Sequence, residues 1–237
     1  MDAMLQIDRI NKSFGGLRAV DGVSFSVNPG ELIGLIGPNG AGKTTIFNMI
    51  SGIYRIDSGS IFFDDVNITN RRPTQISRLG IARTFQVPRT FNRMTVEENL
   101  EVATLNLGLS ENENIERVGF ALSEMDLYES RYRNASELSG GQRQLLQFAR
   151  ATMTQPKLII LDEPFAGSNP SVIDLMIEKV HTLAESGTAT LVISHDIISL
   201  PRVCEEVVVL IEGAVLTQGK LSDVRQDPRV IDAYLGT

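Results

Sequence analysis

Cysteine is nearly absent from this 237-residue chain: Cys204 stands alone. A single thiol forms no intrachain disulfide, so nothing points to an oxidising compartment, and a buried, inert side chain is expected. An excess of positive charge is also missing. The net charge of −7 argues against a general nucleic-acid binder. No apolar run approaches the ~18–20 residues that span a bilayer, and the opening "MDAMLQIDRI" has no charged-then-apolar leader pattern. Internal repeats and low-complexity tracts are lacking too. These absences lead to the expectation of a cytoplasmic protein that meets a membrane only through partners.

What is present is an ordinary globular composition, with 42% hydrophobic and 22% charged residues. The first 70 residues are strand-rich: "MLQIDRI", "VSFSV", "ELIGLIG" and "GSIFFDD" are short, β-prone and bounded by Gly, Pro and Asn. "ELIGLIG" is almost continuously apolar, as a strand covered on both faces is. After it, Ile46, Met49, Ile50 and Ile53 fall at helical spacing. A strand "GIARTFQ" is expected next, ending at Gln86, followed by the proline-bearing linker "VPRTFNR". From Thr95 to about Gln155 the pattern turns helical. Thr95 with Glu98 and Ser110 with Glu113 have capping-box spacing, and "GGQRQLLQFARATM" reads as a third helix. Two buried strands follow, "KLIILDEP" and "ATLVISH". The helix between them places Ile173, Ile177, Val180 and Ala184 on one face. A hairpin turning at Gly213 and a short helix "PRVIDAYLG" close the chain. Strand–helix alternation interrupted by a helical stretch implies an α/β fold with a mainly parallel core sheet, an antiparallel β part and an inserted helical subdomain near 88–155.

The segment "GPNGAGKTT" satisfies the phosphate-loop pattern through Gly37, Gly42, Lys43 and Thr44, with a strand before it and a helix after it. Glycines let successive backbone N–H groups converge on phosphates, and the helix N-terminus adds about half a positive charge. Lys43 then reaches the β and γ phosphates, and the Thr44 hydroxyl ligates Mg²⁺. Asp162 and Glu163 end a buried strand, where α/β proteins bind ligands. Asp162 is expected to hold the metal and Glu163 to act as general base toward water. Gln86 and His195 are expected at strand ends on the same side. The helix of His181 is amphipathic, and no role is assigned to that residue. A second glycine pair, in "ELSGGQRQLL", stands about 95 residues beyond the phosphate loop.

Taken together, "GPNGAGKTT", "LSGGQ", "LIILDEP" and the strand-ending "ISH" resemble the ATP-binding cassette of ABC transporters over almost the whole chain. The resemblance implies a P-loop NTPase built as one ABC ATPase domain. Residues 1–87 and 156–237 form its core and antiparallel β subdomain, and 88–155 the helical subdomain. It implies ATP and Mg²⁺ as cofactors and ATP hydrolysis coupled to transport. Gly37, Pro38, Asn39, Gly40, Ala41, Gly42, Lys43, Thr44 and Thr45 cradle the nucleotide, with Phe14 stacked on adenine. Thr44, Gln86 and Asp162 face the metal, while Glu163, Gln86 and His195 serve hydrolysis. Ser139, Gly140, Gly141 and Gln142 would cover the ATP held by a second cassette, paired head to tail. The implied partners are that second ATPase subunit and two membrane-spanning permeases. A periplasmic or extracellular solute-binding protein follows indirectly, and no nucleic acid. The chain would sit peripherally on the inner face of the cell membrane. Asn169 departs from the family pattern, taking the place of an aspartate in "PFAGSNP".

"IARTFQVPRTFNRMTVEENLEVA" and the ending "VIDAYLGT" resemble the ATPases of branched-chain amino acid uptake systems. The region after Val102 is shorter than in one of the two ATPase types those systems pair. Urea or amide uptake and lipopolysaccharide or lipid export remain alternatives, since related cassettes share "DEPFAG" or the tail. A DNA-repair head is disfavoured because the interval before "LSGGQ" has no heptads and no cysteine pair. A two-cassette translation factor is disfavoured because the chain holds one cassette.

Overall fold

The computed structural model describes residues 3–195 and 200–235. In chain order the elements are β1 (Leu5–Phe14), β2 (Leu17–Val27), β3 (Leu32–Ile36), α1 (Lys43–Ile50), β4 (Ser58–Phe63), β5 (Val66–Asn67), α2 (Pro73–Arg78) and β6 (Ile81–Arg83). Three helices follow, α3 (Val96–Thr104), α4 (Glu111–Glu124) and α5 (Gly140–Thr152). The chain continues with β7 (Leu158–Asp162), α6 (Pro170–Glu185), β8 (Ala189–Ser194), β9 (Glu206–Ile211), β10 (Ala214–Lys220), α7 (Leu221–Val224) and α8 (Pro228–Leu235). The terminal Gly236 and Thr237 of the expected closing helix and tail lie outside the described residues.

Two sheets form. One is antiparallel, in the order β2-β1-β4-β5, and the other has six strands in the order β10-β9-β3-β8-β7-β6. In the second, β9, β3, β8, β7 and β6 run parallel, and β10 folds back antiparallel on β9. Every residue of β7 and β8 is buried, because both faces of the sheet are covered. Alternation along β7 divides its side chains between two apolar clusters. Leu158 and Ile160 join α1 and the antiparallel sheet, whereas Ile159 and Leu161 join α5 and α6. Cys204 is buried in the second cluster, and burial pushes its thiol up to about 12.

Three expectations need correction. Ile53 lies beyond α1 and is exposed. The helix stops because Gly52 adopts φ +72°, where a Cβ would stand 2.4 Å from the carbonyl oxygen of Arg71. β6 is only three residues long, so Gln86 follows the strand rather than ending it. Thr84 N–H still donates to the carbonyl of Ile160 (3.0 Å), but the carbonyl of Phe85 accepts from Gln147 Nε2 on α5 (2.8 Å), which draws the chain off the sheet. Finally, α2 was not anticipated. Pro73 opens it, and Gln75 Oε1 accepts from the Arg72 N–H (3.0 Å).

The helices between β6 and β7 begin as their sequence indicates. Thr95 Oγ1 accepts from Glu98 N–H, Ser110 Oγ from Glu113 N–H, and each glutamate reaches back to its cap's N–H. Val96, Leu100, Val118 and Leu122 pack with Leu145 of α5 in the same cluster that continues into β7 and α6. These helices therefore share an apolar core with the sheet.

Candidate nucleotide site

The parallel strands place their carboxyl ends together. β3 leads into the phosphate loop, β7 ends at Asp162, and His195 directly follows β8. A cavity of about 720 Å³ opens there. Asn39 through Thr45 line it, together with Phe14, Gln86, Asp162, Glu163 and His195. Gly37 and Pro38 contribute through their carbonyls: Lys43 Nζ donates to both, at 2.6 and 2.9 Å.

Gly42, the cap of α1, has φ +100°, and a Cβ there would stand 2.5 Å from the carbonyl oxygen of Ala19. The loop therefore turns tightly against β2, which aims the first N–H groups of α1 into the cavity mouth. Lys43 is buried, and desolvation lowers its pKa against the opposing pull of Glu163 and Asp162. Its ammonium is held by the loop's own carbonyls.

Asp162 is buried, and its carboxyl is pushed up to about 6, first by burial and then by Glu163, with Lys43 and Arg83 opposing. Its neighbour Glu163 takes a positive φ of 47°. That turn lets its N–H donate to the carbonyl of Ile193 (2.9 Å) and swings the side chain toward β8. Glu163 Oε2 accepts from Ser194 Oγ (3.2 Å), and Oε1 accepts from the His195 N–H (2.8 Å) and lies 2.6 Å from His195 Nδ1. The imidazole itself is half exposed. Thr44, Gln86 and Asp162 bring oxygen donors to one cavity, and among the described residues no group of three His, Cys, Asp or Glu is placed to hold a metal alone. Such a set suits Mg²⁺, which keeps waters and takes substrate phosphates as ligands.

Phe14 stands at the cavity's edge, 42% exposed, with the ring of Tyr54 edge-on at 5.2 Å and Lys12 Nζ 5.3 Å from its centroid. Lys12 in turn pairs with Asp57 (2.7 Å), which also accepts from Ser13 N–H. An aromatic ring this exposed at the cavity's edge is suited to stacking on a base. Leu17 and Arg18 of β2 and the turn residues Glu212 and Gly213 also line the cavity. Of these, the sequence marked only Gly213, as the turn of the closing hairpin.

The second glycine pair lies elsewhere. Ser139, Gly140, Gly141 and Gln142 are not on the cavity's wall. Ser139 caps α5, its Oγ accepting from Gln142 N–H (3.2 Å) and its own N–H donating to Gln142 Oε1 (3.0 Å). Gly141 is pressed against α6, where a Cβ would meet Val172 Cγ2 at 2.9 Å, whereas Gly140 faces open space. Asn169, at the start of α6, accepts from Val172 N–H and Ser171 Oγ.

Comparison with known proteins agrees with this geometry. Residues 20–166 match the family described as ABC transporter, and residues 214–237 match the branched-chain amino acid ATP-binding cassette transporter family. A probable branched-chain amino acid transport ATP-binding protein, LivG, of Archaeoglobus fulgidus is 40% identical over 98% of this chain and 95% of its own length. The high-affinity branched-chain amino acid transport ATP-binding protein LivG of Escherichia coli K12 is 37% identical, covering 98% of each. Among solved structures, the ADP conformation of MJ1267, an ATP-binding cassette of an ABC transporter, superposes with a TM-score of 0.89 at 35% identity over 100% of both chains. The dimeric post-hydrolysis state of the cassette MJ0796, bound to ADP and Pi, gives 0.82 at 26% identity, covering 92% of this chain and 99% of that one. The chain belongs to the ABC transporter family, as one of its ATP-binding cassette ATPases.

Proposed function

We propose that this chain energises the uptake of branched-chain or related hydrophobic amino acids, as one of two cassettes docked on membrane-spanning permeases. The observation that carries the two-cassette arrangement is the separation of the two glycine sites. The phosphate loop and both carboxylates share one cavity, while Ser139 to Gln142 are not on its wall. A second cassette, facing this one head to tail, completes the site. The substrate class rests on the tail's family match and on the names of the relatives.

In this reading Lys43 and the N–H groups at the start of α1 neutralise the phosphates, and Phe14 stacks on adenine. Thr44, Gln86 and Asp162 would hold Mg²⁺, which when bound spreads the charge of the β and γ phosphates. Glu163 takes the proton of the attacking water, and His195 moves from its carboxylate to the γ-phosphate. The partner's Ser139-to-Gln142 segment closes over that phosphate and excludes water. Residues 88–155 act as a helical subdomain that carries the segment, and the chain after Gln86 faces the permeases. No helix among the described residues is long and apolar enough to cross a membrane, so attachment to the inner membrane face comes through the permeases. A solute-binding protein outside the membrane completes the importer.

The deciding experiment is to co-express the chain with its candidate permeases, purify the complex in detergent and reconstitute it. ATP-dependent uptake of labelled leucine in the presence of a solute-binding protein is expected. Uptake of urea instead, or export of lipid, would overturn the substrate class while leaving the ATPase intact.

A further inference from the structure

On another side of β6 lies a cavity of about 250 Å³ that shares no wall residue with the nucleotide cavity. Its lining comes from α2, β6 and the C-terminal part of α5, and it includes Arg83 and Arg150 but no carboxylate. Arg83 Nη1 and Arg150 Nε are buried and have no hydrogen-bond partner among the described residues. The guanidinium of Arg83 stacks near the rings of Phe47 (5.3 Å) and Phe85 (4.3 Å), and that of Arg150 near Phe91 (4.5 Å). Arg150 Nη1 donates to the carbonyl of Arg89 (2.6 Å). These contacts fix both side chains without satisfying all their donors. Desolvation works against the charge on each arginine; on Arg83 the nearby Arg89 adds to it, and Asp162 opposes it. Arginine does not shed its proton in proteins, so both charges stay; Asp162 offsets Arg83 in part, whereas no acid among the described residues offsets the burial of Arg150, which calls for a counterion. The wall hydroxyls of Ser51, Ser77 and Thr154 are neutral and so supply no countercharge.

We propose that this cavity is a second anion site, in which Arg83 and Arg150 take a small free oxyanion of the phosphate class. Guanidinium forks match phosphate oxygens, and orphaned N–H groups gain most from a charged acceptor. Phosphate is also an oxyanion that this ATPase releases in its own reaction. Arg83 stands on the sheet and Arg150 on the helix that begins at Ser139, so a bound phosphate ties β6 to α5.

The test is a thermal melt of the full chain saturated with ADP, which keeps the phosphate loop occupied. Inorganic phosphate is titrated at constant ionic strength. With phosphate tenfold above its Kd, the melting temperature is expected to rise by about 3–6 °C. Arg83→Met and Arg150→Met, each still binding ADP, should lose that rise. In chloride alone Arg150→Met should melt no lower than wild type, because an apolar side chain replaces a buried charge that no acid balances. If Arg83→Met fails to bind ADP, Arg150→Met decides. No phosphate-dependent rise in the ADP-bound wild type overturns the proposal. So does an equal rise in the variant, which places the anion elsewhere, or an equal rise with acetate, which makes the site one for carboxylates.

Discussion

Glu163 and His195 hold each other through two contacts: Oε1 of the glutamate accepts the histidine's backbone N–H at 2.8 Å and lies 2.6 Å from its ring Nδ1. The carboxylate is thus positioned from one side by β8, while the imidazole remains half exposed toward the cavity. A carboxylate held in this way is oriented before any substrate arrives.

Glu163→Gln keeps the shape and removes the proton acceptor. ATP binding should persist while kcat falls by about 10²–10⁴-fold. A dimer should then accumulate with ATP and be visible by size exclusion. A variant that turns over normally and stays monomeric with ATP would remove Glu163 from the role of base.

Lys43→Ala removes the ammonium that now rests on the carbonyls of Gly37 and Pro38. Loss of a charged hydrogen-bonding partner is worth about 1.5–3 kcal/mol, or roughly 10- to 150-fold in Kd for ATP. Isothermal titration measures this directly. Wild-type affinity would show that the loop binds phosphate through its backbone alone.

Ser139→Arg places a bulky cation at the cap of α5, outside the chain's own nucleotide cavity. Binding of ATP to the monomer should be unchanged, and hydrolysis by the pair should be blocked. Loss of monomer binding would contradict the head-to-tail arrangement.

Asp162 gives a pH signature of the nucleotide-free chain. Its folded pKa, about 6, lies above the ordinary 3.8. The folded chain therefore holds a proton that the unfolded chain has lost between those values, and the carboxyl's contribution to stability declines as pH rises through that window. Asp162→Asn should melt higher than wild type at pH 7–8, with the gap closing as pH falls below about 4. A gap that does not vary with pH would mean the carboxylate carries no burial penalty.

Much of the site was legible because its chemistry is local. The phosphate loop, the Asp162-Glu163 pair and the capping boxes at Thr95 and Ser110 each declare themselves within a few residues. Leu17, Arg18 and Glu212 did not, because their place on the cavity wall depends on how the antiparallel sheet meets the parallel one. That meeting is made by backbone contacts between distant segments, such as Asp21 N–H to the carbonyl of Gly213 at 2.8 Å. Gln86 and Ile53 were misplaced for a related reason. Local pattern continues an element, whereas a tertiary bond from Gln147 and the close approach of Arg71 to Gly52 end it.

The exchange of aspartate for Asn169 alters more than a charge. The side-chain oxygen already serves two donors of its own segment, Val172 N–H and Ser171 Oγ. What remains to offer a facing molecule is the amide's pair of hydrogens. A carboxylate in that position would accept hydrogens, whereas this side chain must find an acceptor, such as a bare peptide oxygen. Toward any facing chain this position therefore presents a donor where an aspartate would present an acceptor.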